Sequence, residues 1–155
     1  MRRLFVSCVA AAAVLALPGV ASAQSGHFVQ TQTCTDIGTQ VQCSGKVAGL
    51  GGTTFEISVA AQGTATVVCI NPGGNRAPGQ DTSVTVSGSS GPLPTPRNGQ
   101  YRYTVTSVAP GPLPSTPTCP NTQWTPVITD VSFTTATITL SEDGAVSDQV
   151  TVPVS

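Results

Sequence analysis

From residue 27 onward, apolar side chains recur at every second position, which is the period of a strand half-buried in a sheet. In TFEISVA (residues 54–60), Phe55, Ile57 and Val59 share one face, while Glu56 and Ser58 share the other. In QYRYTVTSV (residues 100–108), Tyr101, Tyr103 and Val105 fall on one face and Arg102 on the other. Further strands are expected over residues 27–34, 39–45, 64–70, 81–87, 124–133, 135–140 and 149–154. The pair over 54–60 and 64–70 reads as a hairpin closed by a Gln-Gly turn at Gln62-Gly63, and Asp143-Gly144 reads as the turn before the last strand. Val131 and Phe133 are in one phase but Ile138 and Leu140 are in the other, so a bulge or break near Thr134-Thr135 is needed to keep one buried face. No amphipathic helix is expected, because Gly and Pro interrupt the helical windows. Eight or nine strands with turn signals between them predict an all-β fold, an antiparallel β-sandwich or small barrel. It is Ig-like in architecture but not a true immunoglobulin domain, since Trp124 follows both later cysteines instead of lying between a pair.

The N-terminus changes the picture. Arg2 and Arg3 precede an apolar run that ends in Ala21-Ser22-Ala23, the pattern of a secretory signal peptide cleaved after residue 23. Residues 24–155 are then expected to form a single secreted β-sandwich domain with no integral membrane segment. Cys8 leaves with the signal, and Cys34, Cys43, Cys69 and Cys119 remain. An even count in an exported chain reads as two disulfides, with three possible pairings. If Gly38-Thr39 form a two-residue turn, Ile37 faces Gln40 and Cys34 falls opposite Cys43. Cys34–Cys43 follows from that geometry, and Cys69–Cys119 by exclusion.

Charge adds mainly exclusions. Without Arg2 and Arg3, four basic side chains (Lys46, Arg76, Arg97, Arg102) stand against seven acidic ones, a net charge of −3. They form no basic stripe, so nucleic acid is not an expected partner. Thr, Ser, Gln and Gly supply most of the surface polarity, and no Asn-x-Ser/Thr sequon is present.

The run CINPGGNRAPGQ (residues 69–80) has the glycines of a phosphate loop but neither the Lys-Ser/Thr pair nor a following helix. It reads as a stiff corner: Gly73 and Gly74 can adopt positive φ, Pro72 and Pro78 fix theirs, and Asn71 and Asn75 can cap turns. The Cys69–Cys119 link would bring it beside TCPNTQW (residues 118–124). Asn71, Asn75, Arg76, Asn121 and Trp124 are therefore the candidate binding patch, with Trp124 able to stack on a sugar or ligand ring. The structural alternative is that Trp124 plugs the core beside the disulfide while the asparagines serve loop backbone.

Catalysis has thin support. The only histidine, His27, lies at the new N-terminus, where fraying is expected, and no G-x-S-x-G elbow occurs. Glu56 stands alone in mid-strand, and Glu142-Asp143 read as a solvated hairpin tip. Calcium at Glu142, Asp143 and Asp148 would lack ligands, and the cysteines have no metal-site spacing. No catalytic residue, metal or cofactor is therefore assigned. The echoed segments GPLPTP (residues 91–96) and GPLPSTP (residues 111–117) read as extended connections between strands.

The run at residues 69–80, then CPNTQWT and ITDVSFTTATIT, resembles a recurring pattern in small exported proteins without an assigned activity, chiefly from high-GC bacteria. The likeness covers residues 69–140, implies secretion and a shared β domain, and transfers no functional residue. Together these features lead us to expect a secreted, non-catalytic interaction or structural protein of the extracellular space or cell envelope, with a protein or glycan partner. One alternative is a carbohydrate- or small-ligand-binding module using Trp124, Tyr101 and Tyr103. Another is a hydrolase or protease inhibitor, the latter laying residues 91–96 in a protease cleft.

Overall fold

The computed structural model describes residues 25–155; the expected signal peptide lies outside them. Nine strands and one short helical turn follow in the order β1 (His27–Asp36), β2 (Val41–Ala48), β3 (Thr54–Ile70), β4 (Arg76–Pro78), β5 (Thr82–Ser89), β6 (Leu93–Pro94), β7 (Tyr101–Thr106), α1 (Ser115–Thr118), β8 (Thr125–Glu142) and β9 (Ala145–Pro153). They form two antiparallel sheets, as expected of a sandwich. The smaller has the order β1-β2-β7. In the larger, β3 lies between β8 and the short strands β4, β5 and β6, and β9 flanks β8. Among the described residues, no helix is long and apolar enough to cross a membrane.

Both sheets feed one core. Phe55, Ile57, Val59, Ala65 and Val67 of β3, with Val131, Ile138 and Leu140 of β8, meet Val41, Val47, Tyr103 and Val105 of the smaller sheet, all buried. Each fully buried aliphatic or Phe side chain contributes about 1.5–3 kcal/mol of transfer free energy. The first hairpin is as expected: Ile37 N–H bonds Gln40 C=O at 3.0 Å, Gly38 has φ 93°, and Cys34 pairs with Cys43. Both disulfides have the expected partners, Cys34–Cys43 and Cys69–Cys119.

The expected hairpin at Gln62-Gly63 does not exist. β3 runs through it as one strand of 17 residues, beside the equally unbroken β8 of 18. Gly63 marks crowding instead of a turn. A Cβ there would lie 2.6 Å from Val131 Cγ1 and 2.8 Å from the Ser132 carbonyl oxygen. Gly inside a strand pattern commonly marks such a close approach or a bulge. The bulge expected at Thr134-Thr135 lies directly across, because Phe133 pairs with Gly63 and Ala136 with Ala61, leaving two residues of β8 opposite Gln62. A second bulge at Thr129 changes phase again, so Pro126 and Ile128 share the inward row with Val131, Phe133 and Ala136.

The β3–β8 ribbon is longer than the sheet that faces it. At one end its inward residues Val67, Cys69, Pro126 and Ile128 are covered by the β7–β8 connection, with Leu113 packed against the core. A cavity of about 210 Å³ remains between Ala109–Leu113 and Pro126 and Ile128. The two proline-rich echoes therefore differ. Residues 111–117 form part of this cover, whereas Leu93 and Pro94 pair with Phe55 and Thr54 as β6.

Candidate binding surface and the polar anchors

The predicted patch sits where β3 ends. Ile70 pairs with Arg76 on one side and with Thr125 on the other. The Asn71–Asn75 loop and the segment before Thr125 therefore leave the same end of the sheet. Asn71 organises the first: its Oδ1 accepts from Asn75 N–H at 2.9 Å, its backbone N–H bonds Asn75 C=O at 3.1 Å, and its C=O accepts from Gly74 N–H at 2.9 Å. Asn121 organises the second, its Oδ1 accepting from Gln123 N–H at 3.0 Å. The Cys69–Cys119 bond, with Cα atoms 5.8 Å apart, and Gln80 N–H to Thr118 C=O at 2.9 Å tie the two loops together. Asn75, Arg76 and Asn121 are exposed, while Asn71 and Trp124 are half-buried. Beside them, Val68, Arg76, Ala77 and Pro78 line a shallow depression of about 350 Å³. Val127, register partner of Val68, is 40% exposed.

Tyr103 is part of the core, and the half-buried Tyr101 packs against it. Tyr101 meets Phe55 edge-on at 5.0 Å and Tyr103 meets Phe28 at 6.1 Å. Tyr103 is 4% exposed, and burial raises its phenol well above the ordinary tyrosine value. Its hydroxyl donates to Gln32 Oε1 at 2.6 Å. Nothing in the strand pattern of residues 27–34 sets this buried glutamine apart. Between Val29 and Thr33, strand β1 bulges away from β2, with Gln30 at φ 66°. Gln32 Nε2 recaptures two freed carbonyls, those of Val29 at 3.0 Å and Gln30 at 2.8 Å. Gly45 leaves room for this arrangement: a Cβ there would lie 1.7 Å from Gln32 Oε1 and 2.9 Å from the Tyr103 hydroxyl and would displace the bond between them.

The expectation for Glu142 is overturned. It is fully buried, not part of a solvated tip. Its Oε1 accepts from Gly51 N–H at 2.7 Å and Gly52 N–H at 3.1 Å, and its Oε2 from Gly26 N–H at 2.9 Å. Burial pushes its pKa up, but these three N–H groups and the Ser147 hydroxyl outweigh burial and hold it below the ordinary glutamate value. Asp143 is held low by the N–H groups of Thr54 and Thr53 and by the Thr54 hydroxyl. Its Oδ1 lies 2.9 Å from Thr54 N and 3.0 Å from Thr53 N. Strand alternation carries the signal that finds Glu142: Ala136, Ile138 and Leu140 point inward, and residue 142 is next in that row. The turn chemistry of Asp143-Gly144 hides it.

Asp148 also receives N–H groups, from Phe28 at 2.8 Å and Gln149 at 2.8 Å. Donors aimed at carboxylates are the wrong polarity for a cation, and among the described residues no group of three or more His, Cys, Asp or Glu is placed to hold a metal. His27 is exposed at the start of β1, with Nδ1 2.9 Å from Ser25 C=O. Comparison of the chain with protein-family models, with curated proteins and with solved structures gives no match.

Proposed function

We propose that the protein is a secreted, non-catalytic interaction or structural module of the extracellular space or cell envelope, and that it meets a protein partner through the corner at Asn71, Asn75, Arg76, Asn121 and Trp124. The observation that carries this reading is the corner's pre-ordering. Its loops are fixed by a buried disulfide and two asparagine caps before any partner arrives, while Asn75, Arg76 and Asn121 remain exposed. A surface ordered in advance loses less conformational entropy on binding. The acids that might have served catalysis have structural work instead: Glu142 and Asp143 clamp backbone N–H groups. The inhibitor alternative loses support because the backbone of Leu93-Pro94 is paired to β3. The glycan-binding alternative keeps Trp124 as its one aromatic platform.

A photo-crosslinking side chain at Asn75, compared with one at Thr35, tests the reading in the native extracellular fraction. One protein partner should be captured from position 75 and lost on Arg76→Ala or Trp124→Ala. Equal capture from both positions, or capture indifferent to both substitutions, rejects the corner as the binding surface.

A further inference from the structure

The outward face of the β1-β2-β7 sheet carries a second arrangement, away from the disulfide-tied corner. Its central row pairs Thr33 with Ser44 and Ser44 with Thr104, and the next row pairs Thr35 with Gln42 and Gln42 with Thr106. Thr33 Oγ1 and Ser44 Oγ lie 3.1 Å apart, and Gln42 Nε2 donates to Thr106 Oγ1 at 3.0 Å. The face is a ladder of hydroxyls and amides. On the far side of the central row, Lys46 and Arg102 are register partners on adjacent strands. Like charges directly opposite one another destabilise a sheet. Two of the four basic side chains in the chain beyond residue 23 are spent on this juxtaposition, although the same stretch carries a net charge of −3.

No acid compensates them within the sheet. Among the described residues, Asp36 is the only acidic one in these three strands, and its carboxylate is turned to the Gly38 and Phe133 N–H groups. The β1 bulge supplies a recess. Where Gln30 to Gln32 leave β2, a depression of about 360 Å³ opens, lined by Thr31, Thr33, Ser44, Arg102 and Thr104. That volume lies within the usual range of small-ligand sites. Beneath it, the Tyr103–Gln32 hydrogen bond and the two Gln32 Nε2 bonds make the floor rigid.

We propose that this face binds an acidic polysaccharide, with a carboxylate-bearing sugar between Lys46 and Arg102 and its hydroxyls on the Thr31, Thr33, Ser44 and Thr104 ladder. Charge complementarity selects the anion. The dense array of paired donors and acceptors beside the cations matches a sugar's hydroxyls better than an acidic peptide, whose carboxylates need donors only. The binding is electrostatic in part and therefore weakens with salt.

The test is isothermal titration of the folded protein with polygalacturonate at low ionic strength, with neutral dextran and polyglutamate as comparison polymers. Polygalacturonate should bind, dextran should not, and polyglutamate should bind at least tenfold more weakly. The double variant Lys46→Gln/Arg102→Gln should lose at least tenfold in affinity while keeping its circular dichroism and melting no lower than the unaltered protein, since the opposed charges are relieved, and Arg102→Gln alone should lose part of the affinity. Arg97→Gln, an exposed basic side chain outside both surfaces, should bind as the unaltered protein does. Absence of polygalacturonate binding overturns the proposal, as does a double variant that binds undiminished. Equal binding of polyglutamate makes the partner an acidic peptide and removes the glycan. Equal binding of dextran removes the role of charge.

Discussion

The two ends of the β3–β8 ribbon meet the same difficulty by different chemistry. Each extends to where loops must help to cover and fix it. At the Thr54/Glu142 end the fastening is ionic: Glu142 and Asp143 together hold Gly26, Gly51, Gly52, Thr53 and Thr54 through backbone N–H groups. At the Ile70/Thr125 end it is covalent, Cys69–Cys119 holding the β7–β8 connection over the overhang. The first fastening answers to pH and ignores reductant; the second ignores pH and answers to reductant. A buried carboxylate such as Glu142 also demands that its oxygens be paired, whereas a disulfide asks only for suitable Cα and Cβ positions. That difference fits the surroundings: the ionic end is built from tight glycine-rich backbone, and the covalent end from proline-rich chain with few N–H groups to offer.

Four measurements would break or sharpen this contrast. The largest effect is expected from Cys69→Ala/Cys119→Ala. Removing a link across 50 residues of sequence should lower stability by about 4 kcal/mol on the chain-entropy account. Urea unfolding followed by the single Trp124 reads it directly, and a loss below about 1 kcal/mol would mean that the cover holds itself in place. Next, Glu142→Gln keeps the shape but replaces a charged acceptor of three N–H bonds, at a cost of about 3 kcal/mol. Unfolding of this variant should remain as sensitive to reductant as that of the parent; if it does not, the two ends are not independent.

The third measurement is the acid limb of the stability curve. Both carboxylates have folded-state pKa values below their unfolded ones. Their contribution is therefore fully present above the unfolded values of about 4 and is lost as pH falls through the lower folded values. Stability should fall with acid over that window, and Glu142→Gln should flatten the slope, while Cys69→Ala/Cys119→Ala should shift the curve down without changing its slope. An unchanged slope in Glu142→Gln would locate acid sensitivity elsewhere. The smallest effect belongs to Asp143→Asn. Its bonds are exposed to solvent, so its melting temperature should drop less than that of Glu142→Gln; the reverse order would make the surface half of the clamp the dominant one.

What could be read in advance follows from how local each signal is. The Cys34–Cys43 hairpin needs only Gly38-Thr39 and a count of residues. The irregularity at Thr134-Thr135 appears as a change of apolar phase between Phe133 and Ala136, but whether it is a bulge in one strand or a break between two is fixed only by β3, which pairs with both halves. Gln62-Gly63 misleads because glycine in a turn and glycine under a crowding neighbour look alike until Val131 is known to lie against it. The second bulge at Thr129 is silent because Pro126, Val127 and Ile128 give no clean alternation. Gln32 and Glu142 escape notice for a deeper reason: beside the Tyr103 and Ser147 hydroxyls, what draws them inside is backbone groups, at Val29 and Gln30 for one and at Gly26, Gly51 and Gly52 for the other. Such groups carry no residue-type signature. The corner's residues were legible because asparagine, proline and glycine announce turns; what binds there is written in no such local code.

The last residues of the chain have a mechanical meaning. Val154 lies parallel to Cys34 in an isolated bridge, with Ser155 N–H to Cys34 C=O at 3.1 Å and Asp36 N–H to Ser155 C=O at 3.0 Å. A pull that separates His27 from Ser155 drives these two parallel segments in opposite directions along their length. The bonds between them then bear the load side by side, in shear, and must yield together instead of opening one by one like a zipper. The first resistance of this molecule to being stretched would therefore lie at this short seam, next to the Cys34–Cys43 link.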